Sequence, residues 1–87
     1  MSKIELSKPI KAFGKELKEL DIKEPTGEHF EKIGVPLKFN SDGSFDIDGK
    51  KMILMIESLA DLPAGTMKSV PFKEVLNIST KIMDFFV

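Results

Sequence analysis

The stretch KIELSKPIKAFGKELKELDI, residues 3–22, decides how the chain folds, because it reads in two ways. As strands, Ile4, Leu6 and Ile10 alternate with polar neighbours, Lys8 breaks the apolar face, and Leu20 and Ile22 resume it before Pro25. Ala12, Phe13, Gly14 and Lys15 then form the turn, with Gly14 supplying a positive φ. As a helix, the same stretch is capped by Ser7, carries Pro9 in its first turn and sets Ile10, Phe13, Leu17 and Leu20 on one face. Gly14 in the interior and the β-favouring ends speak against the helix. Periodicity alone leaves both readings open.

Downstream the apolar spacing changes from period 2 to period 3.6. Thr26 reads as the N-cap of a short helix, with Glu28 near the positive end of the dipole. That helix is expected to bury Phe30 and Ile33 and to stop at Gly34, ahead of Pro36. Residues 38–49 carry Asn40, Ser41, Asp42, Gly43 and Gly49 and read as a loop or small hairpin tipped by Asp42 and Gly43. From about Gly49 to Leu62 the spacing predicts a helix entered through Asp48 and closed by Pro63. Its apolar arc holds Met52, Ile53, Met55, Ile56, Leu59, Ala60 and Leu62; Lys50, Lys51, Glu57, Ser58 and Asp61 lie opposite. Leu54 is the exception, an apolar residue in the middle of the polar stripe. After a connector over 63–69, with room for one helical turn, Pro71 opens a last helix running to about Phe86. Its polar stripe is Lys73, Glu74, Asn77, Thr80, Lys81 and Asp84. Its apolar arc spans about 180°, wider than the roughly 100° that a surface helix needs to dock on a core.

Composition narrows the function. A chain of 87 residues supports one domain near the small end, where a single core is only marginally sufficient. Thirteen basic residues, all Lys, against fourteen acidic ones leave a net charge of −1. Without the guanidinium fork, and nearly neutral, the chain is poorly suited to neutralising phosphates, so no nucleic-acid partner is expected. The longest apolar run, Met52 to Ile56, falls far short of the ~20 residues that span a bilayer. Glu5 and Lys8 interrupt the first apolar residues, so no leader is read, and a soluble, intracellular protein is expected. There is no Cys, which excludes a disulfide framework, a thiolate metal site and a cysteine nucleophile.

No other chemistry assembles. His29 is the sole histidine and reads as a solvated residue in a first helical turn. Ser44, Asp46 and Asp48 imitate the first half of a calcium-binding loop, but the closing position, which must supply a carboxylate, is Met55. A turn with Asp48 capping the next helix is the better reading. The glycines are isolated, so no phosphate loop forms. No catalytic residues, cofactor or metal are expected, and the chain is not read as an enzyme. Met52, Met55, Met67 and Met83 suit either gap-filling in a core or an adaptable contact surface. Met52, Leu54 and Met55 are therefore candidate partner contacts. Phe85 and Phe86 join them, because an apolar helix end is expected to be buried against the domain or against something that follows.

The order of short signatures carries a resemblance. It comprises Leu6 to Ile10, Gly14, Leu20 to Gly27, Ile33 to Pro36, Ile56 to Pro63, and a terminal helix ending at Met83, Asp84, Phe85 and Phe86. In order, spacing and length the chain resembles the small tail assembly chaperones of contractile-tailed bacteriophages and prophages, of the E-protein and Mu-like type. The likeness covers nearly everything except residues 40–48. It implies a non-catalytic accessory protein of the host cytoplasm, absent from the mature virion. Such a protein keeps the tape measure protein soluble while tail-tube protein polymerises around it. It also favours the hairpin over the helix. The expected fold is then α+β in one domain over 1–87. A β-hairpin (1–25) is followed by a short helix and variable loop (26–48) and a helical half (49–87), with two or three helices, the longest C-terminal. Self-association is a further expectation. A small structural tail component retained in the particle, or an adaptor unrelated to phage, are the alternatives. The resemblance further implies a longer product made by ribosomal slippage near Phe85 and Phe86. A TTC codon at either Phe, or a closed −1 frame beyond them, would exclude it.

Overall fold

In a computed structural model, which describes residues 2–85, residues 3–22 form a hairpin. β1 (Ser2–Ala12) and β2 (Lys15–Ile22) pair antiparallel, from Ala12 opposite Lys15 at the turn to Ser2 opposite Ile22 at the open end. Phe13 and Gly14 both have positive φ, 55° and 71°, the primed turn whose twist matches that of the strands. Phe13 occupies a left-handed conformation that suits Asn far better, and at 63% exposure it gains little from packing in return. Phe13→Asn is expected to raise stability by about 0.5–1 kcal/mol, read as a higher urea midpoint.

The interruption at Lys8 has a structural counterpart. Between the pairs Glu5–Glu19 and Ile10–Leu17 the register shifts, so Leu6, Ser7, Lys8 and Pro9 stand against Lys18 alone. This bulge takes Lys8 out of the ladder and sets Leu17 opposite Ile10; Ile4 and Ile10, on either side of it, are buried with Leu20 and Ile22. A two-stranded ribbon is marginal by itself; burial of such side chains, about 1.5–3 kcal/mol each, holds it against the rest of the chain.

α1 (Gly27–Ile33) starts at Thr26 and stops at Gly34, whose φ of 94° ends the helix. His29 is not merely solvated: its Nδ1 accepts a hydrogen bond from the Thr26 N–H at 3.0 Å, the place Glu or Gln takes in a capping box. Contrary to expectation, α1 fully buries neither residue: Ile33 is half-buried against the core and Phe30 stays 37% exposed, because the short helix packs at the margin of α2. Residues 38–49 contain a second hairpin, β3 (Leu37–Phe39) with β4 (Phe45–Ile47), turning at Gly43 with φ 90°.

α2 (Gly49–Leu59) is entered through Asp48, whose side chain accepts from the Lys51 N–H at 3.1 Å. It ends three residues before Leu62. Asp61 takes φ 54°, and the Leu62 N–H turns back to the Glu57 carbonyl at 2.8 Å. This closing motif normally uses Gly, which is why spacing alone carries the helix too far. A 3-10 turn (Thr66–Ser69) follows, then α3 (Phe72–Met83), the longest helix. Met52, Met55, Ile56 and Leu59 of α2 and Ile78 and Ile82 of α3 complete the core with the hairpin. The Lys23 N–H donates to the Leu59 carbonyl at 3.0 Å, fastening the hairpin's open end to the end of α2. Among the described residues, no helix is long and apolar enough to cross a membrane.

Candidate interaction surface

Two glutamates on the predicted polar stripes are buried; one fastens the connector after α2, the other the bulge of β1, to its helix. Glu57 on α2 is 6% exposed; its Oε2 accepts from the Gly65 N–H at 2.9 Å and the Met67 N–H at 3.0 Å, which fixes the 3-10 turn. Glu74 in the first turn of α3 is 2% exposed; its Oε1 accepts from the Ser7 N–H at 2.7 Å, the Ser7 hydroxyl and the Lys8 N–H at 3.3 Å. These are donors that the β1 bulge leaves outside the ladder. The Ser7 hydroxyl bond, aided by the backbone donors, holds the Glu74 carboxyl below the usual carboxylate range, against the opposing effect of burial.

An apolar groove of about 350 Å³ opens between α2 and α3. Met52 and Met67 lie at its floor, Ile53 and Val75 on its walls, and Phe72 and Leu76 at its rim. Phe72 is 74% exposed and Leu76 42%. Ile47 closes one end and continues onto the second hairpin. There Phe39 and Phe45 sit opposite each other on the same face, ring centroids 6.1 Å apart. At the other end a shallower depression shares Ile53 and Lys68 with the groove and is bordered by Leu54 and Lys50. A small-molecule site would carry several convergent polar groups to orient its ligand. This lining is apolar, with Lys68 and the buried Ser79 as its polar side chains.

The residues singled out in the sequence divide. Leu54 is 42% exposed on the depression, and Phe85 is half-buried at the edge of the core. Met52 and Met55 are 1% and 0% exposed, and packing in the core accounts for them; Met52 touches the surface only as groove floor. Phe86 lies outside the described residues. Missed were Phe72 and Leu76, although the excess width of the last helix's apolar arc pointed to them. Phe39, Phe45 and Ile47 were also missed, inside a segment read as a loop or small hairpin, of which the hairpin forms. In the acidic turn, the Asp42 carboxylate accepts from Ser44 and Asp46 faces the Asn40 amide, while Asp48 caps α2. Among the described residues, no group of three or more His, Cys, Asp or Glu is placed to hold a metal ion.

The family of phage tail assembly chaperone proteins, E, or 41 or 14, matches residues 3–87. The chain belongs to that family. No curated protein and no solved structure matches it. Membership gives the chaperone its general role, assisting the assembly of a phage tail in company with tail proteins.

Proposed function

We propose that this chaperone binds the tape measure protein through the groove and the adjoining hairpin face, without catalysis. It thereby keeps that protein soluble in the host cytoplasm until tail-tube protein assembles around it, and it is left out of the mature virion. The observation that carries the reading is the run of exposed apolar side chains from Phe39 through Phe72 and Leu76 to Leu54, on a chain whose core is already filled. Scattered apolar residues need no explanation; a run continuous with a groove does.

Co-expression with the tape measure protein of the same tail gene cluster tests it. The tape measure protein is expected in the soluble fraction with the chaperone and in the pellet without it. A mass-spectrometric inventory of purified particles should lack the chaperone; its presence there would favour the structural-component reading. Leu54→Lys is expected to change stability by no more than about 0.5 kcal/mol, because the side chain is exposed, and to lower co-purification. Size-exclusion chromatography of the same variant separates this effect from lost self-association.

A further inference from the structure

The walls of the groove specify what fills it. Along Ile53, Val75 and Leu76 the walls are α2 and α3, whose backbone hydrogen bonds are internal, so they present side chains; an open strand edge reaches the groove only at its Ile47 end, on the three-residue β4. A segment buried there must satisfy its own backbone. A helix does so; an extended strand does not.

Charge sets the orientation. The charged residues lining the groove and its neighbouring depression are Lys50, Lys68 and Glu57. Glu57 is buried, its carboxylate occupied by the Gly65 and Met67 amides. Lys50 and Lys68 are exposed, and neither takes part in the ion pairs among the described residues. One end of the surface is therefore cationic, and the end at Phe72, Leu76 and Ile47 is apolar.

We infer that the groove takes an amphipathic helix of the partner, its apolar stripe along Ile53, Val75 and Leu76 and its acidic end against Lys50 and Lys68. The inference rests on the tape-measure reading above and adds the secondary structure, polarity and direction of the bound segment.

Synthetic fragments of about 20 residues, tiled across the tape measure protein and titrated into the intact chaperone, test it. The binding fragment is expected to gain helical circular dichroism on binding and to carry Asp or Glu at one end. Lys50→Glu combined with Lys68→Glu should weaken it by about tenfold, since two rim attractions become repulsions. Lysines at the fragment's acidic end should restore affinity for the charge-reversed protein. Leu76→Asp should abolish binding in either charge background. All three positions are exposed, and an unchanged urea midpoint checks that each variant is folded. If the tape measure protein co-purifies with the chaperone yet neither the charge reversal nor Leu76→Asp alters fragment affinity, the helix-in-groove inference is overturned and the function stands. Binding without gain of helix also overturns it. If the tape measure protein does not co-purify with the unaltered chain, both fall.

Discussion

Glu74→Ala is expected to destabilise the fold by about 3 kcal/mol, seen as a lower urea midpoint. The carboxylate is buried and bonds two backbone amides and one hydroxyl of a bulge more than sixty residues away in sequence. Removing it loses charge-assisted bonds, worth about 1.5–3 kcal/mol against roughly 1 for neutral ones, and leaves the Ser7 and Lys8 N–H groups without their acceptor. Ser7→Ala removes the hydroxyl alone and should cost about 1 kcal/mol. If the two variants cost the same, the backbone donors are not what Glu74 holds.

The same carboxyl makes stability depend on pH. Its folded-state value is depressed relative to the unfolded chain. Its contribution is therefore complete above the ordinary glutamate pKa and is lost as pH falls through the depressed folded value. Glu74→Gln lacks this dependence, so the stability gap between the unaltered protein and Glu74→Gln should narrow on acidification. A gap that is constant from neutral pH into the acid range would sink the assignment.

Glu57 and Glu74 also mark where reading the sequence stops. The local signals were legible: Gly14 at a primed turn, Thr26 and Asp48 as caps, Gly34 as a stop, and Leu54 as the apolar residue left in water. Each depends on neighbours within a turn or so, which is the range that spacing and capping encode. The glutamates look like any residue of a solvated stripe. They are buried because backbone N–H groups from remote segments need an acceptor, and no period records where a distant bulge or turn will lie. Asp61 defeated the helix boundary for a related reason, taking a left-handed conformation without being Gly. The spacing of Phe30 suits burial, but spacing does not say how much of a seven-residue helix the rest of the fold covers. The surface was half legible. The arc of α3 was too wide for docking alone, yet only the packed fold shows that Phe72 and Leu76 are the part left over. The three-residue strands that carry Phe39, Phe45 and Ile47 are too short to display a period.

Glu57→Ala should cost about 2–3 kcal/mol and, unlike Glu74→Ala, should act on the groove itself. Its Oε2 holds the Gly65 and Met67 amides, so α2 fixes the position of a 3-10 turn whose own bonds, Lys68 N–H to the Gly65 carbonyl and Val70 N–H to the Met67 carbonyl, set only its local shape. Gly65 has φ 90°, which turns its N–H and that of Met67 toward a single anion. Met67, 1% exposed, is part of the groove floor, and Lys68 next to it is the cation shared by both depressions. Loosening the turn therefore disturbs the apolar floor and the charged edge together. Amide hydrogen exchange at Gly65 and Met67 is expected to accelerate in Glu57→Ala, while the β1–β2 ladder, to which the Glu57 carboxylate makes no bond, changes only as global stability does. Glu57→Gln keeps an oxygen for the two donors and should recover part of the loss. On the proposed role of the groove, tape-measure binding should fall more than with Leu54→Lys, because that variant alters one residue bordering the neighbouring depression and this one the shape beneath the groove. Unchanged exchange at Gly65 and Met67 in a destabilised Glu57→Ala protein would mean that the turn is held by the packing of Met67, and the groove would then survive the loss of its latch.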